Sequence, residues 1–363
     1  MRIKVIQRIV PSYRQVFFNK LHAVYGKNFE VYTSFNIGKG PLMEGSEDKY
    51  PWLYEIGNVI EIPGACWQTG VFKLKINKGD IIVIEGSIRI ISNFILILRS
   101  WLAGAKLVWW GHYWSASSQK FKASIRHQLM KNLPNILFYT DKEIERFAED
   151  HSRINNIFSL NNGVDIETII KCRNNYFIEN QQRDIDILFL GRIAPKANIP
   201  LLLKAMLNER CLSFNLTLMG AQDEKELSYA NKEIDYYDLK DRVTVAMGSS
   251  SEEDIAIYTN RSKVFCYPGQ VGLSLIHAMS YGLPSIVHDN WREQMPEFCA
   301  FENNKTGISF KNNDSESLAD AINFIFNNND LLSMSKSSIK IVESKYTLNL
   351  MKDRFINMID SIK

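Results

Sequence analysis

Two glycines three positions apart, Gly269 and Gly272, stand between a short apolar run and a helix-length apolar segment in YPGQVGLSLIHAMSYGLP, residues 267–284. Val264-Phe265-Cys266-Tyr267 has strand character, and Pro268-Gly269 ends it. From Gly272 onward, Leu273, Leu275, Ile276 and Met279 follow the spacing of a buried helix. Gly282 and Pro284 supply a helix stop, and Ser285-Ile286-Val287 starts a further strand. Strand, glycine turn, helix and strand make one βαβ unit. Its turn presents bare backbone N–H groups at a helix N-terminus, where anions bind well. Phosphate is the first candidate ligand; a tight turn with close packing is the alternative.

The elements that must position this turn repeat along the chain. RIKVIQRIV, FEVYTSF, NVIEIP, DIIVIEGS, KLVWWGH and NILFYT are strand-like runs in the first half. DIDILFLGR, FNLTLMG, RVTVAMG, KVFCYPG and PSIVHD follow in the second, with helix-length segments between. Such alternation predicts parallel βαβ construction, twice over. Several runs end in Gly or a polar residue (Gly191, Gly220, Gly248, Gly269, His112, Asp289), and ligands of open α/β sheets bind at carboxyl ends of strands. The polar stretch KCRNNYFIENQQRD separates the halves. A first domain over 1–163 and a second over 164–345 are expected, with a last helix near 346–363 returning to the first.

At 363 residues the chain exceeds one ordinary core. Apolar content of 45% with 23% charge excludes a disordered protein. Five scattered cysteines without a C-x-x-C pair argue against a disulfide framework or structural zinc, and for a reducing, cytoplasmic setting. The most apolar stretch, 81–104, is broken by Glu85, Arg89 and Arg99 and is no membrane span. Residues 1–165 hold 21 Lys and Arg against 14 Asp and Glu, so the first half is basic and the remainder acidic. Positive charge thickens at 117–135, where Lys120, Lys122, Arg126, His127 and Lys131 alternate with apolar residues. Two readings are open there: a solvated face of a packed helix, or an interfacial helix in peripheral contact with anionic membrane. No nucleic-acid motif appears.

Several stretches in order resemble the two-domain GT-B glycosyltransferases, and most closely glycosyltransferase family 4. Gly269-Gln270-Val271-Gly272-Leu273, His277-Ala278-Met279 and Gly282-Leu283-Pro284 are similar to that family's glycine turn and helix. FLGRIAPKANIPLLLKAM resembles its strand ending in Gly-Arg with a loop lysine that opens a helix, and SLNNGVD its start of the second domain. FYTDKEIERF and RVTVAMG also fit its order. The resemblance implies an α/β fold of two Rossmann-like, doubly wound domains facing across a cleft.

It also implies residue roles. Arg192 and Lys196 stand where the family stabilises charge on the leaving diphosphate, a task for fixed electrostatics, with a solvated Arg/Lys pair on a surface loop as the plain alternative. Gly191, Gly220, Gly269, Gln270, Val271, Gly272 and Leu273 would bind the donor, the amides of 271–273 cradling its phosphates. The family brackets this turn with two glutamates eight positions apart. Here Gly269 and His277 occupy those places, and His277 either keeps a hydrogen bond to the ribose or is a satisfied core histidine. His112, ending a strand among Trp109, Trp110, Tyr113 and Trp114, corresponds to a histidine that reaches the transferred sugar. Pro11-Ser12-Tyr13-Arg14 resembles a subgroup that builds bacterial surface polysaccharides. Tyr13 and Arg14 would lie on the acceptor or diphosphate side, though Ser12 as a helix cap explains that loop as well.

The reaction implied is retaining transfer from a UDP- or GDP-linked sugar to a glycan or lipid-linked glycan, as in O-antigen or capsule synthesis. No acidic pair suits a glycosidase, no Asp-x-Asp suits a metal-dependent transferase, and no cofactor is expected. The alternatives are a non-catalytic GT-B scaffold, which the two missing glutamates permit, and a sugar-nucleotide epimerase. An NAD-dependent dehydrogenase is disfavoured because no G-x-G-x-x-G follows a strand.

Overall fold

The apolar runs of the two halves form two parallel sheets. The computed structural model describes residues 1–35, 50–114, 120–150, 156–249, 251–327 and 330–363. The side chains of Ser12, Lys120 and Lys122, expected as a cap and as part of a basic face, lie outside the described residues.

In chain order the first half gives β1 (Ile3–Ile6), α1 (Gln15–Tyr25), β2 (Phe29–Thr33), β3 (Leu53–Glu55) and a hairpin of β4 (Val59–Ile62) with β5 (Ala65–Gln68). Then come β6 (Ile81–Glu85), α2 (Ser92–Ala103), β7 (Lys106–Trp110), α3 (Lys120–Lys131), β8 (Asn135–Phe138), α4 (Asp141–Asp150) and β9 (Asn156–Ser159). The second half gives α5 (Ile166–Asn175), β10 (Ile185–Leu190), α6 (Ile199–Met206), β11 (Leu216–Ala221), α7 (Glu224–Tyr236), β12 (Val243–Met247) and α8 (Glu252–Arg261). It continues through β13 (Ser262–Tyr267), α9 (Leu273–Ser280), β14 (Ser285–His288), β15 (Gly307–Phe310), α10 (Ser315–Asn327), α11 (Leu331–Lys345) and α12 (Leu348–Ile362).

The chain divides into two compact units. One holds the seven-stranded sheet β3-β2-β1-β6-β7-β8-β9, and the other the six-stranded sheet β12-β11-β10-β13-β14-β15. Every pairing in both sheets is parallel. Strand order reverses at β1 in the first sheet and at β10 in the second, so each has a switch point where loops part to either side. Central strands are buried on both faces, which explains their unbroken apolar runs: all six residues of β10 are buried.

Helix α12 belongs to the first unit. Leu348, Met351, Phe355, Met358, Ile359 and Ile362 follow one helix face and are buried. Phe355 packs edge-on against Phe17 (6.0 Å) and Phe29 (6.5 Å). Beside this stripe, Arg354 forks onto both carboxylate oxygens of Asp141, at 2.6 and 3.1 Å. Burial works to raise the Asp141 carboxyl, but hydrogen bonds from Arg354, Ser159 and Asn161 outweigh it and hold it below the usual value. Phe355→Ala should cost about 3–5 kcal/mol, the range for a buried phenylalanine, read as a lower midpoint in urea unfolding. A loss under about 1 kcal/mol would mean that α12 is dispensable to the first core.

Candidate functional site

In the second unit β10 and β13 are neighbours, so the loops leaving their carboxyl ends emerge side by side. After β10, Gly191 and Arg192 lead through a 3-10 turn (Pro195–Ala197) to Asn198, which takes a left-handed conformation (φ 54°) at the start of α6. After β13, residues 268–272 lead into α9. The two loops touch: Gln270 N–H donates to the Lys196 carbonyl at 3.0 Å. A Cβ on Gly269 would lie 2.0 Å from that same carbonyl oxygen, so no larger residue fits. Gly220, ending β11, comes equally close to the first loop, where a Cβ would meet the Gly191 carbonyl oxygen at 1.8 Å. The structure thus brings Gly191, Gly220, Lys196, Gly269, Gln270, Gly272 and Leu273 together at the switch point. It also gives Gly269 a reason: where the resembling family has a glutamate, the backbone of 196–197 fills the space.

The expected cradle of three successive amides needs a correction. Val271 N–H donates to Gln294 Oε1 at 2.7 Å, and the fully buried Gln294 in turn donates to the His288 carbonyl at 3.1 Å. The amides of Gly272 and Leu273 carry no hydrogen bond among the described residues, as expected at a helix start. Close to Gly272 sits Glu297, 5% exposed. Its Oε1 accepts from Asn162 Nδ2 at 2.7 Å, while Oε2 is buried without a partner. The Asn-Gly-Val-Asp turn and the loop after β14 therefore meet at the N-terminus of α9. Burial lowers the His288 pKa, outweighing the opposing pull of Glu293, Asp289 and a hydrogen bond with the Gly269 backbone.

Arg192 is exposed, its Nε 3.1 Å from Glu226 Oε1 at the start of α7. Lys196 is exposed and forms no ion pair among the described residues. His277 is neither a bare surface group nor a core histidine. Its Nε2 lies 2.8 Å from Glu252 Oε1, and Tyr281 Oη donates to the same oxygen at 2.5 Å. Burial raises the Glu252 carboxyl, but these two donors outweigh it and the net value lies below that of an ordinary glutamate. Glu252 is 25 positions from His277, so no local motif announces it.

In the first unit, Gly111 and His112 follow β7. The His112 ring stacks on Tyr139 at 4.1 Å, and its Nδ1 lies 3.7 Å from Glu143 Oε1. Glu143 is fully buried and accepts from the amides of Tyr113 (2.8 Å), Tyr139 (3.0 Å) and Thr140 (3.1 Å), fixing the two loops after β7 and β8. Arg14 is only 6% exposed; its guanidinium lies 4.3 Å from the Trp110 ring centroid and 5.4 Å from that of Tyr139. Its Nε has no hydrogen-bond partner, and no carboxylate pairs with it among the described residues. Tyr13 is 53% exposed beside it. At the switch point between β1 and β6 lies a cavity of about 190 Å³ lined by Arg8, Glu61, Glu85 and Arg89 among others.

Helix α3 does not present the uniformly solvated basic face expected of 117–135. Arg126 is buried, donating to the Tyr113 carbonyl at 2.7 Å, and His127 stacks on Tyr113 at 4.5 Å. Desolvation lowers the Arg126 pKa. Among the described residues no helix is long and apolar enough to cross a membrane.

Residues 174–341 match the family model described as glycosyl transferases group 1. No curated protein matches the sequence significantly. Among solved structures, sucrose-phosphate synthase from Thermosynechococcus elongatus is 17% identical, covers 100% of this chain and 99% of its own, and superposes with a TM-score of 0.72. A glycosyltransferase from Rickettsia africae is 14% identical over 99% of this chain and 98% of its own, at 0.70. Anabaena HepE, in complex with UDP and glucose, is 13% identical over 99% and 100%, at 0.68. These likenesses establish the GT-B fold of two Rossmann-like domains.

Two outcomes check this geometry. Gly269→Ala should destabilise by about 1–3 kcal/mol, the usual cost of overpacking, and Gly269→Glu by more; a glutamate accepted with an unchanged melting temperature would contradict the loop contact. Because the folded Glu252 value is depressed, its stabilisation is present above the unfolded value of about 4.3 and is lost as pH falls through the folded value. His277→Phe should therefore flatten the decline in stability on acidification, measured by urea unfolding at stepped pH. An unaltered pH profile would show that the pair contributes nothing.

Proposed function

We propose that the chain is a retaining, family 4-like glycosyltransferase that moves a sugar from a nucleotide diphosphate donor, UDP- or GDP-linked, to a glycan or lipid-linked glycan. The observation that carries this reading is the contact of the Gly191–Lys196 loop with the 268–272 turn, which brings the loop that carries Arg192 and Lys196 against the turn that ends in two free helix amides. An electron-rich diphosphate fits that setting. The group 1 match over this unit and the UDP-bound Anabaena neighbour support it.

In the step we infer, the bond from the anomeric carbon to the diphosphate oxygen breaks, and its electrons pass to the phosphate. Arg192 and Lys196 stabilise the charge that grows there. The acceptor hydroxyl bonds the anomeric carbon on the same face and its proton goes to the departing diphosphate, so no metal or resident cofactor takes part. Gly272 and Leu273 amides hold phosphate oxygens. His277, fixed by Glu252 and Tyr281, faces the ribose. Glu297, with one buried oxygen unsatisfied, accepts a donor hydroxyl. In the first unit His112 reaches the transferred sugar, and Tyr13 and Arg14 receive the acceptor or its anionic group. The resemblance of Pro11-Ser12-Tyr13-Arg14 supports a role in cytoplasmic assembly of a bacterial surface polysaccharide.

Thermal-shift titration with UDP, GDP, ADP and CMP tests the reading first. One nucleotide should raise the melting temperature of the wild type, and Arg192→Ala should abolish that rise. With the matching sugar nucleotide, Arg192→Ala or Lys196→Ala should lower turnover by about a hundredfold or more, the scale of one lost charge stabiliser. No shift with any nucleotide would favour a non-catalytic scaffold, and near-normal turnover would remove both cations from the mechanism.

A further inference from the structure

Helix α2 packs Leu96 and the partly buried Ile95 and Ile97 on the core of the first unit, yet it turns more apolar surface outward than a helix that only covers its own sheet. Its buried residues are Ser92, Asn93, Leu96 and Ser100, three of them polar. Its exposed residues include Phe94, Leu98, Trp101 and Leu102, the last two 76% and 68% accessible. An ordinary surface helix does the opposite. The polar inner residues have work to do: Asn93 Nδ2 donates to the Glu85 carbonyl at 2.7 Å, and Ser92 Oγ accepts from the Gln68 amide at 3.2 Å.

The outward apolar face extends beyond the helix. Arg99 turns back and donates to the carbonyls of Val71 and, at 2.7 Å, Leu74, tying the turn Thr69–Phe72 to α2. Phe72 is thereby held 60% exposed, 5.9 Å from the Trp67 ring, and Trp67 pairs across the hairpin with exposed Ile60. Among the described residues, the exposed charges next to this face in the sequence are basic. Lys73, Lys75, Lys78 and Arg89 are exposed, and the sequence has no Asp or Glu from Pro63 to Gly79 or from Gly86 to Thr140. On the hairpin, Glu61 is taken up by Arg8 at 2.8 Å.

We propose that this face is an interfacial membrane anchor. Phe72, Phe94, Leu98, Trp101 and Leu102 enter the boundary between head groups and acyl chains of an anionic bilayer, and Lys73, Lys75, Lys78 and Arg89 meet lipid phosphates. A large aromatic with a polar N–H suits that depth, and lysine stems bury their methylenes while the ammonium stays wet. At twelve residues with Arg99 turned inward, α2 lies along a bilayer and does not span it. A second copy is a poorer occupant, because a twofold contact would set one basic rim against another. The surface belongs to the first unit and the candidate nucleotide site to the second, so this inference stands or falls without the transfer reaction.

Flotation of the full chain with vesicles of phosphatidylcholine alone or mixed with phosphatidylglycerol tests it, together with sedimentation velocity. The wild type should float with the anionic vesicles, less so at high salt. Trp101→Ser with Leu102→Ser, both at exposed positions, should lose about tenfold or more of this binding. Lys73→Gln, Lys75→Gln and Lys78→Gln together should remove the preference for anionic lipid and its salt dependence. Nucleotide-induced thermal shifts should be the same in all these proteins, which separates a failed anchor from a failed nucleotide site. Wild-type protein that stays with neither vesicle, or a serine variant that floats undiminished, overturns the proposal. So does a dimer abolished by the serine pair without any vesicle binding, which would assign the face to a second copy.

Discussion

The hydrogen bond from Gln270 N–H to the Lys196 carbonyl, with Gly269 beside it, sets the spacing on which the second unit's candidate site depends. Two parallel strands deliver two loops, but strands alone leave loop separation open. Direct backbone contact closes it, and only a residue without Cβ permits that contact. The position of Lys196 relative to the start of α9 then follows from main-chain geometry.

The same contact changes where carboxylates can stand. A glutamate at 269 would collide with residues 196–197, and His277 carries no negative charge of its own. The unit has two other carboxylates nearby, both delivered from distant segments: Glu252 at the start of α8, bonded to His277, and Glu297 after β14, bonded to Asn162. Each is held by donors that keep an oxygen in place. Glu252 is satisfied twice over at one oxygen, whereas Glu297 keeps a buried oxygen empty beside the α9 N-terminus. An unsatisfied buried carboxylate oxygen costs free energy in the absence of a hydroxyl or amide to meet it. The two acids thus differ in kind, one serving to orient an imidazole and the other open to a donor.

What the sequence disclosed and what it hid follow the range of the interactions concerned. Parallel α/β construction was legible because strand and helix periods are local, and so was the glycine turn at 269–272. The loss of the Val271 amide was not, because Gln294 lies 23 positions downstream and reads as loop. Glu252 and Glu143 escaped for the same reason: their roles come from partners on other elements. Arg126 looked like a member of a basic face, yet a guanidinium on a helix can turn inward where a carbonyl such as that of Tyr113 awaits it. Helix α2 shows the converse. Its polar residues Ser92, Asn93 and Ser100 share one side, which a helical pattern would assign to solvent, and only packing shows the serines inside and Trp101 outside.

Arg14 carries the comparable argument in the first unit. Its guanidinium is buried on the faces of Trp110 and Tyr139 with no carboxylate to offset the lost hydration. Ring quadrupoles recover part of that cost, on the order of 2 kcal/mol when desolvated, and burial of a lone cation exceeds it. Burial works to lower the pKa and the neighbouring phenols Tyr139 and Tyr13 raise it further, so the group stays charged throughout. The fold retains a cation with no counter-charge among the described residues, at the carboxyl ends of its strands and within one aromatic cluster with His112 through Tyr139. An arriving anion would find the cation already desolvated and oriented, with the ordering cost met during folding. That is the electrostatic counterpart of the open amides at Gly272 and Leu273: in each unit, the strand ends keep donors that no other described group takes up.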